Sequence, residues 1–149
     1  MTGKTVANNR KAYHNYYIGD SYEAGIVLTG SEIKSIRNGR VSLGDGYVKP
    51  DNGEMWLYNV HIARYEASSY LGYEPTRPRK LLLHKKEIKD LITRIAEKGL
   101  TIVPTRLYIK GHVAKIEIAL ARGKKLYDKR EAITRREIER ELARTTKNR

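Results

Sequence analysis

The pattern of this chain predicts a mainly β domain with inserted helices, closed or partly closed into a small barrel and followed by a charged tail. Three observations carry that expectation. Five or six strand-like segments crowd into about 110 residues. Two helical stripes with start and stop signals interrupt them, and the apolar pattern gives out near residue 121. The chain therefore divides into a basic N-terminal arm (1–12), a body (13–121) and a basic tail (122–149).

The arm holds Lys4, Arg10 and Lys11 and no acid, and its start is expected to be loose. Tyr16–Leu28 is rich in β-forming residues and reads as the first long strand. Thr29-Gly30-Ser31-Glu32 opens a short helix with a capping box, Ile33 and Ile36 share one face, and Gly39 ends it. Tyr47–Lys49 and Met55–Ile62 flank the hairpin signal Pro50-Asp51-Asn52-Gly53. Residues 66–80, with Gly72, Pro75 and Pro78, read as a loop. In His84–Lys98 the apolar residues Ile88, Leu91, Ile92 and Ile95 recur at helical spacing until Gly99. Thr101–Ile109 and Val113–Leu120 then form two strands joined at Lys110-Gly111-His112. An OB-like barrel fits this order best, although periodicity alone does not separate it from an open α+β sandwich. No internal repeat is visible.

Composition narrows the function. The 149 residues carry 30 Lys+Arg against 17 Asp+Glu, a formal net charge of +13. Like charges repel in the compact state, so such an excess points to a polyanionic partner, either nucleic acid or an anionic membrane surface. No apolar run approaches the ~20 residues of a transmembrane helix, and the polar first 11 residues do not resemble a signal peptide. A cytoplasmic protein is expected. The absence of cysteine excludes disulfide scaffolds, zinc ribbons, thiol catalysis and iron–sulfur sites. Eleven tyrosines stand against no phenylalanine, and Tyr13, Tyr16, Tyr17 and Tyr22 cluster among basic residues. A tyrosine there either stacks on a base or is a half-buried strand residue.

The tail holds 11 basic and 5 acidic residues, and its strongly apolar side chains are only Leu126, Ile133, Ile138 and Leu142. So little apolar surface does not offset the entropy of ordering. Yet Thr134-Arg135-Arg136-Glu137 is a capping box with Ile133 and Ile138 as its staple. A segment disordered when free and helical when bound is the expectation; a solvated helix packed on the body is the alternative.

No metal, cofactor or catalytic constellation is expected. His14, His61, His84 and His112 are scattered without metal-ligand spacing, and no phosphate-binding loop or nucleophile motif occurs. His14 and His112 could in principle form an acid–base pair for cleaving RNA, a description that any basic RNA-binding protein with two histidines matches. Three basic runs are better supported: Asn8–His14, Arg77–Lys80 with Lys85 and Lys86, and Arg122–Lys125 continuing to Lys129 and Arg130. Lysine and arginine at phosphates give affinity, and neighbouring rings stack on unpaired bases.

These runs carry a resemblance. Asn9-Arg10-Lys11-Ala12-Tyr13-His14, Gly30-Ser31-Glu32-Ile33-Lys34-Ser35-Ile36-Arg37, Lys80-Leu81-Leu82-Leu83-His84-Lys85, Gly99-Leu100-Thr101-Ile102-Val103-Pro104 and Ala121-Arg122-Gly123-Lys124-Lys125 followed by Asp128-Lys129-Arg130 stand in one order along the chain. Together they resemble SmpB, the SsrA-binding protein family of bacteria. The resemblance implies an OB-like barrel with added helices and no catalytic activity. It implies a protein that binds the tRNA-like domain of transfer-messenger RNA (tmRNA) and carries it to stalled ribosomes for trans-translation. The expected partners are tmRNA, the small-subunit decoding centre and mRNA channel of the ribosome, and EF-Tu in the delivery complex. The protein is expected to be a monomer.

The body residues it assigns to tmRNA are Asn9, Arg10, Lys11, His14, Glu32, Ser35, Arg37, Arg79, Lys80 and Lys85. Those assigned to the decoding centre and channel are Lys124, Lys125, Tyr127, Asp128, Lys129, Arg130, Arg135, Arg136, Ile138 and Leu142. Many relatives place His before the Asp-Lys-Arg element, where this chain has Tyr127, which stacks but cannot become cationic. Thr145 and Thr146 stand where some members carry apolar residues. Glu32 reads two ways, as a helix cap and as an acceptor for base or ribose donors. The alternatives are a ribosomal or ribosome-assembly protein and a small RNA-cleaving enzyme.

Overall fold

Strands β1 (Lys4–Asn8), β2 (Tyr16–Ile26), β3 (Val41–Ser42), β4 (Tyr47–Asp51), β5 (Glu54–Tyr58), β6 (His61–Ile62), β7 (Arg79–Leu82), β8 (Thr101–Lys110) and β9 (Val113–Gly123) alternate with helices α1 (Arg10–Asn15), α2 (Gly30–Arg37) and α3 (Lys85–Lys98). The computed structural model describes residues 4–65 and 72–124. Seven strands form one antiparallel sheet in the order β1-β8-β4-β5-β7-β2-β9, and β9 pairs back onto β8. That last pairing closes the sheet, giving the OB-like barrel. β8 has room for three partners because Ile102 meets β4 while Arg106–Ile109 meet β1. The two-residue strands β3 and β6 pair separately.

Local chemistry explains the turns. Asn52 and Gly53 both have positive φ, 51° and 75°, which is the two-residue hairpin geometry that Asn-Gly favours. Gly99 takes a left-handed conformation after α3, as a helix stop requires. In β9, Ala114, Ile116, Ile118 and Leu120 point into the barrel, as their alternation predicts. They meet Met55, Leu57, Leu81, Ile102 and Leu107 from the other strands, and Ile36 and Leu91 cover the core from α2 and α3. Ile92 sits at the rim of its stripe, 37% exposed. Among the described residues no helix is long and apolar enough to cross a membrane.

The structure corrects several boundaries. Lys4–Asn8 of the basic arm is a strand on β8, and residues 10–15 form a helix that the sequence pattern did not disclose. β2 ends at Ile26, not Leu28. The Met55–Ile62 segment breaks at Asn59, whose φ of 59° interrupts the pleat, into β5 and β6. Arg79 and Lys80, expected in a loop, belong to β7 between β5 and β2. The tail beyond Lys124 lies outside the described residues.

Candidate nucleic-acid interface

Asn9 sets the first surface. Its Oδ1 accepts the Ala12 amide at 3.0 Å, capping α1, while its Nδ2 donates to the carbonyls of Leu43 and Pro104 at 3.2 and 2.7 Å. One buried side chain thereby ties α1 to two distant segments. Ala12 faces inward against Val103 and Ala121, so Arg10, Lys11, Tyr13 and His14 remain outside. Lys11 donates to Asp45 at 2.5 Å across this surface. The end of β9 lies alongside, because the Lys124 amide donates to the Asn15 carbonyl at 2.9 Å. Tyr17, 47% exposed, carries the Arg122 guanidinium and the Lys124 ammonium at 5.0 and 5.4 Å from its ring centre. An accessible ring flanked by two cations suits a base and its phosphates. Tyr16 and Tyr22, by contrast, are half-buried strand residues.

A buried carboxylate organises the second surface. The Thr29 hydroxyl accepts the Glu32 amide at 3.2 Å and Glu32 accepts the Thr29 amide at 2.9 Å, the capping box expected of α2. Glu32 is nevertheless 0% exposed, and both its oxygens also face guanidinium groups. Arg77 donates through two nitrogens, and Arg79 Nε donates to Oε2 at 2.7 Å. Arg79 continues to the carbonyls of Val60 and Pro75, at 2.7 and 2.9 Å. Tyr73 donates to the Ile62 carbonyl at 2.7 Å. Burial alone would raise the Glu32 carboxyl; the Arg77 and Thr29 hydrogen bonds and the Arg79 charge outweigh it and hold the group below its ordinary value. Two guanidiniums on one carboxylate leave a net positive cluster, of which Arg77 is the solvent-facing member, its side chain 32% exposed. Arg64, Tyr65, Tyr73 and Arg77 line a cleft of about 390 Å³ beside the start of α2. Lys34 lies 5.3 Å from the Tyr65 ring.

The expected site residues therefore separate. Arg10, Lys11, His14, Arg37 and Lys85 are exposed, and Lys80 is half-exposed on the barrel wall. Asn9, Glu32, Ser35 and Arg79 are 2, 0, 0 and 0% exposed. Their polar atoms bond within the protein, Ser35 Oγ donating to the Ala63 carbonyl at 2.6 Å. The four side chains expected to touch RNA are thus enclosed by the protein, where they tie neighbouring loops together. Tyr17, Arg77 and Arg122 stand on the same surfaces, although none of them is among the residues expected from the sequence. Their basic runs and the tyrosine cluster were the signal; Tyr73 had none. Of the tail residues only Lys124 is described; Lys125, Tyr127, Asp128, Lys129, Arg130, Arg135, Arg136, Ile138 and Leu142 lie outside the described residues.

The candidate acid–base pair is not assembled. His14 precedes Tyr16, which pairs with Gly123 at one end of β9, while His112 precedes Val113 at the other. Eleven strand residues span roughly 35 Å.

A small closed barrel bearing accessible tyrosines among arginines and lysines defines an RNA-binding protein. The profile of the family described as "SmpB protein" matches residues 6–148. An SsrA-binding protein of Dehalococcoides mccartyi is 57% identical over 145 residues, covering 97% of this chain and 84% of the relative. One from Roseiflexus castenholzii is 60% identical over 147 residues, covering 98% and 93%. A solved chain described under "tmRNA-SmpB: a journey to the center of the bacterial ribosome" superimposes with a TM-score of 0.67 at 45% identity, over 80% of this chain and 85% of that one. The chain belongs to the SmpB family.

Proposed function

We propose that this protein binds the tRNA-like domain of tmRNA and delivers it to stalled ribosomes for trans-translation, as a cytoplasmic monomer working with EF-Tu. The names of its relatives support the RNA partner. The observation that carries the division of labour is the placement of α1 and α2 at the two ends of β2. The tail leaves the body beside α1, where Lys124 meets Asn15. If the tail enters the decoding centre, Arg10, His14, Tyr17 and Arg122 lie at the ribosomal rim. The Glu32 cluster, with Arg37 and Arg77 exposed, then faces the tRNA-like domain. In this reading the single tmRNA surface expected from Arg10 through Lys85 divides in two.

The tail reads the vacancy of the channel. An intact message leaves no room for it; a truncated message leaves an RNA-walled tunnel in which Lys124, Lys125, Lys129, Arg130, Arg135 and Arg136 meet phosphates. Tyr127 stacks, Asp128 accepts from base or ribose donors, and Ile138 with Leu142 forms the apolar edge of the helix that orders there.

Binding to the isolated tRNA-like domain tests the body. Arg37→Ala with Arg77→Ala should weaken it and lower the salt slope by about one per lost phosphate contact. Arg10→Ala with Arg122→Ala, and Asp128→Ala with Lys129→Ala and Arg130→Ala, should spare that affinity and block peptide tagging. Equal loss of RNA affinity in all three variants would refute the division.

A further inference from the structure

The barrel wall carries a feature that neither surface uses. On β4, β5 and β7 the residues facing the core are Val48, Met55, Leu57 and Leu81, so their neighbours face outward. Outward positions of a half-solvated sheet are ordinarily polar. Here Tyr47 pairs directly with Tyr58, their rings 5.3 Å apart and 17° from parallel. In the next row Lys49 pairs with Trp56 and Trp56 pairs with Lys80, so the chain's single tryptophan lies between two lysines on three adjacent strands. The two rows are two residues apart, about 6.8 Å. Lys49 also stands 5.3 Å from the Tyr47 ring.

The opposite wall differs. There Tyr108 donates to Glu23 at 2.5 Å, Arg106 meets Glu117 at 3.4 Å and Lys110 meets Glu23 at 3.8 Å, so the ring is engaged by a carboxylate and both of these cations face acids. On β4–β5–β7 Lys49 and Lys80 equal Asp51 and Glu54 in number, but among the described residues Lys49 meets no carboxylate and stands over the Tyr47 ring instead. Glu54 receives Lys80 at 3.0 Å, in an exposed pair that is readily exchanged for a phosphate. Cross-strand packing explains the tyrosine pair by itself. It does not explain a tryptophan set between two cations.

We propose that this outward face is a further RNA contact, which takes an unpaired strand by stacking bases on Trp56 and on the Tyr47–Tyr58 pair while Lys49 and Lys80 hold the phosphates. Rings give sequence-tolerant affinity and the lysines add a salt-dependent term. The occupant is single-stranded RNA of any origin, so the inference does not depend on tmRNA.

Trp56 is its own reporter, since no other tryptophan contributes. The full-length protein is titrated with a ten-nucleotide single-stranded oligoadenylate while Trp56 fluorescence is followed, and binding to the isolated tRNA-like domain is measured in parallel. Saturable quenching that weakens with salt is expected. Tyr58→Ala should reduce the oligonucleotide affinity about ten-fold. Lys49→Glu, a surface change that leaves the stack intact, should reduce it at least as much. Both variants should bind the tRNA-like domain like the parent, so that failure of this inference is separable from failure of the tmRNA assignment. Absence of quenching overturns the proposal, as does quenching that both variants retain in full. Shielding of Trp56 by RNA-free ribosomal proteins but not by the oligonucleotide assigns the face to a protein and overturns it equally.

Discussion

Replacing Glu32 by glutamine keeps its volume and removes its charge. Arg79, wholly buried, then has no counter-charge, and Arg77 loses its strongest acceptor. Removing one partner of a buried ion pair costs about 3–5 kcal/mol. The glutamine oxygen still accepts one guanidinium bond and Arg77 can turn to solvent, so the lower end, about 3 kcal/mol, is expected. For a domain of this size that lowers Tm by roughly 10 °C. Urea unfolding followed by Trp56 fluorescence and by circular dichroism measures the difference. The pH dependence adds a second readout. Because the folded Glu32 titrates below its ordinary value of 4.5, its contribution is fully present above pH 4.5 and disappears as pH falls through the lower folded value. The gap between parent and Glu32→Gln should therefore close in acid. A variant that unfolds like the parent yet no longer binds the tRNA-like domain would place the carboxylate on RNA and refute the buried role.

Three other outcomes are expected. Asn9→Ala removes a helix cap and strands the two carbonyls it satisfies, costing about 3 kcal/mol in thermal unfolding; a loss below 1 kcal/mol would contradict its tethering role. Desolvation first, and then the hydrogen bond to Glu23, push the Tyr108 phenol far above its ordinary value of 10. In an ultraviolet titration the parent and Tyr108→Phe should therefore coincide through pH 10 and part only at more alkaline pH. Gly99→Ala meets no neighbouring atom but forces a side chain into a left-handed residue, and should cost about 1 kcal/mol with no loss of RNA affinity.

Local rules sufficed wherever a residue's neighbours in sequence are also its partners. The α2 capping box, the Asn52-Gly53 turn, the α3 stripe and the alternation in β9 all close within a few residues, so they are visible before folding. The β1 strand and α1 were not, because β1 is held by β8, about a hundred residues away, and α1 by Asn9's bonds to Leu43 and Pro104. Arg79 and Lys80 look like a basic loop in isolation. They become a strand because β5 and β2 supply hydrogen-bonding partners on both sides.

The sequence by itself determined that the partner is a polyanion, that the body is a small β domain, and which basic runs belong to the family's pattern. Charge, periodicity and motif order survive without coordinates because each is a property of the chain. Only the tertiary structure decided which of those residues touch the outside. Glu32 and Arg79 carry charges that a sequence reader assigns to the surface, yet each neutralises the other in the interior. Tyr17 reads as either a stacking or a half-buried residue and Trp56 as an ordinary strand residue, yet barrel closure sets both facing outward beside lysine or arginine. Burial is a sum over distant segments, and it is this sum that separates a contact from the scaffold that holds it in place.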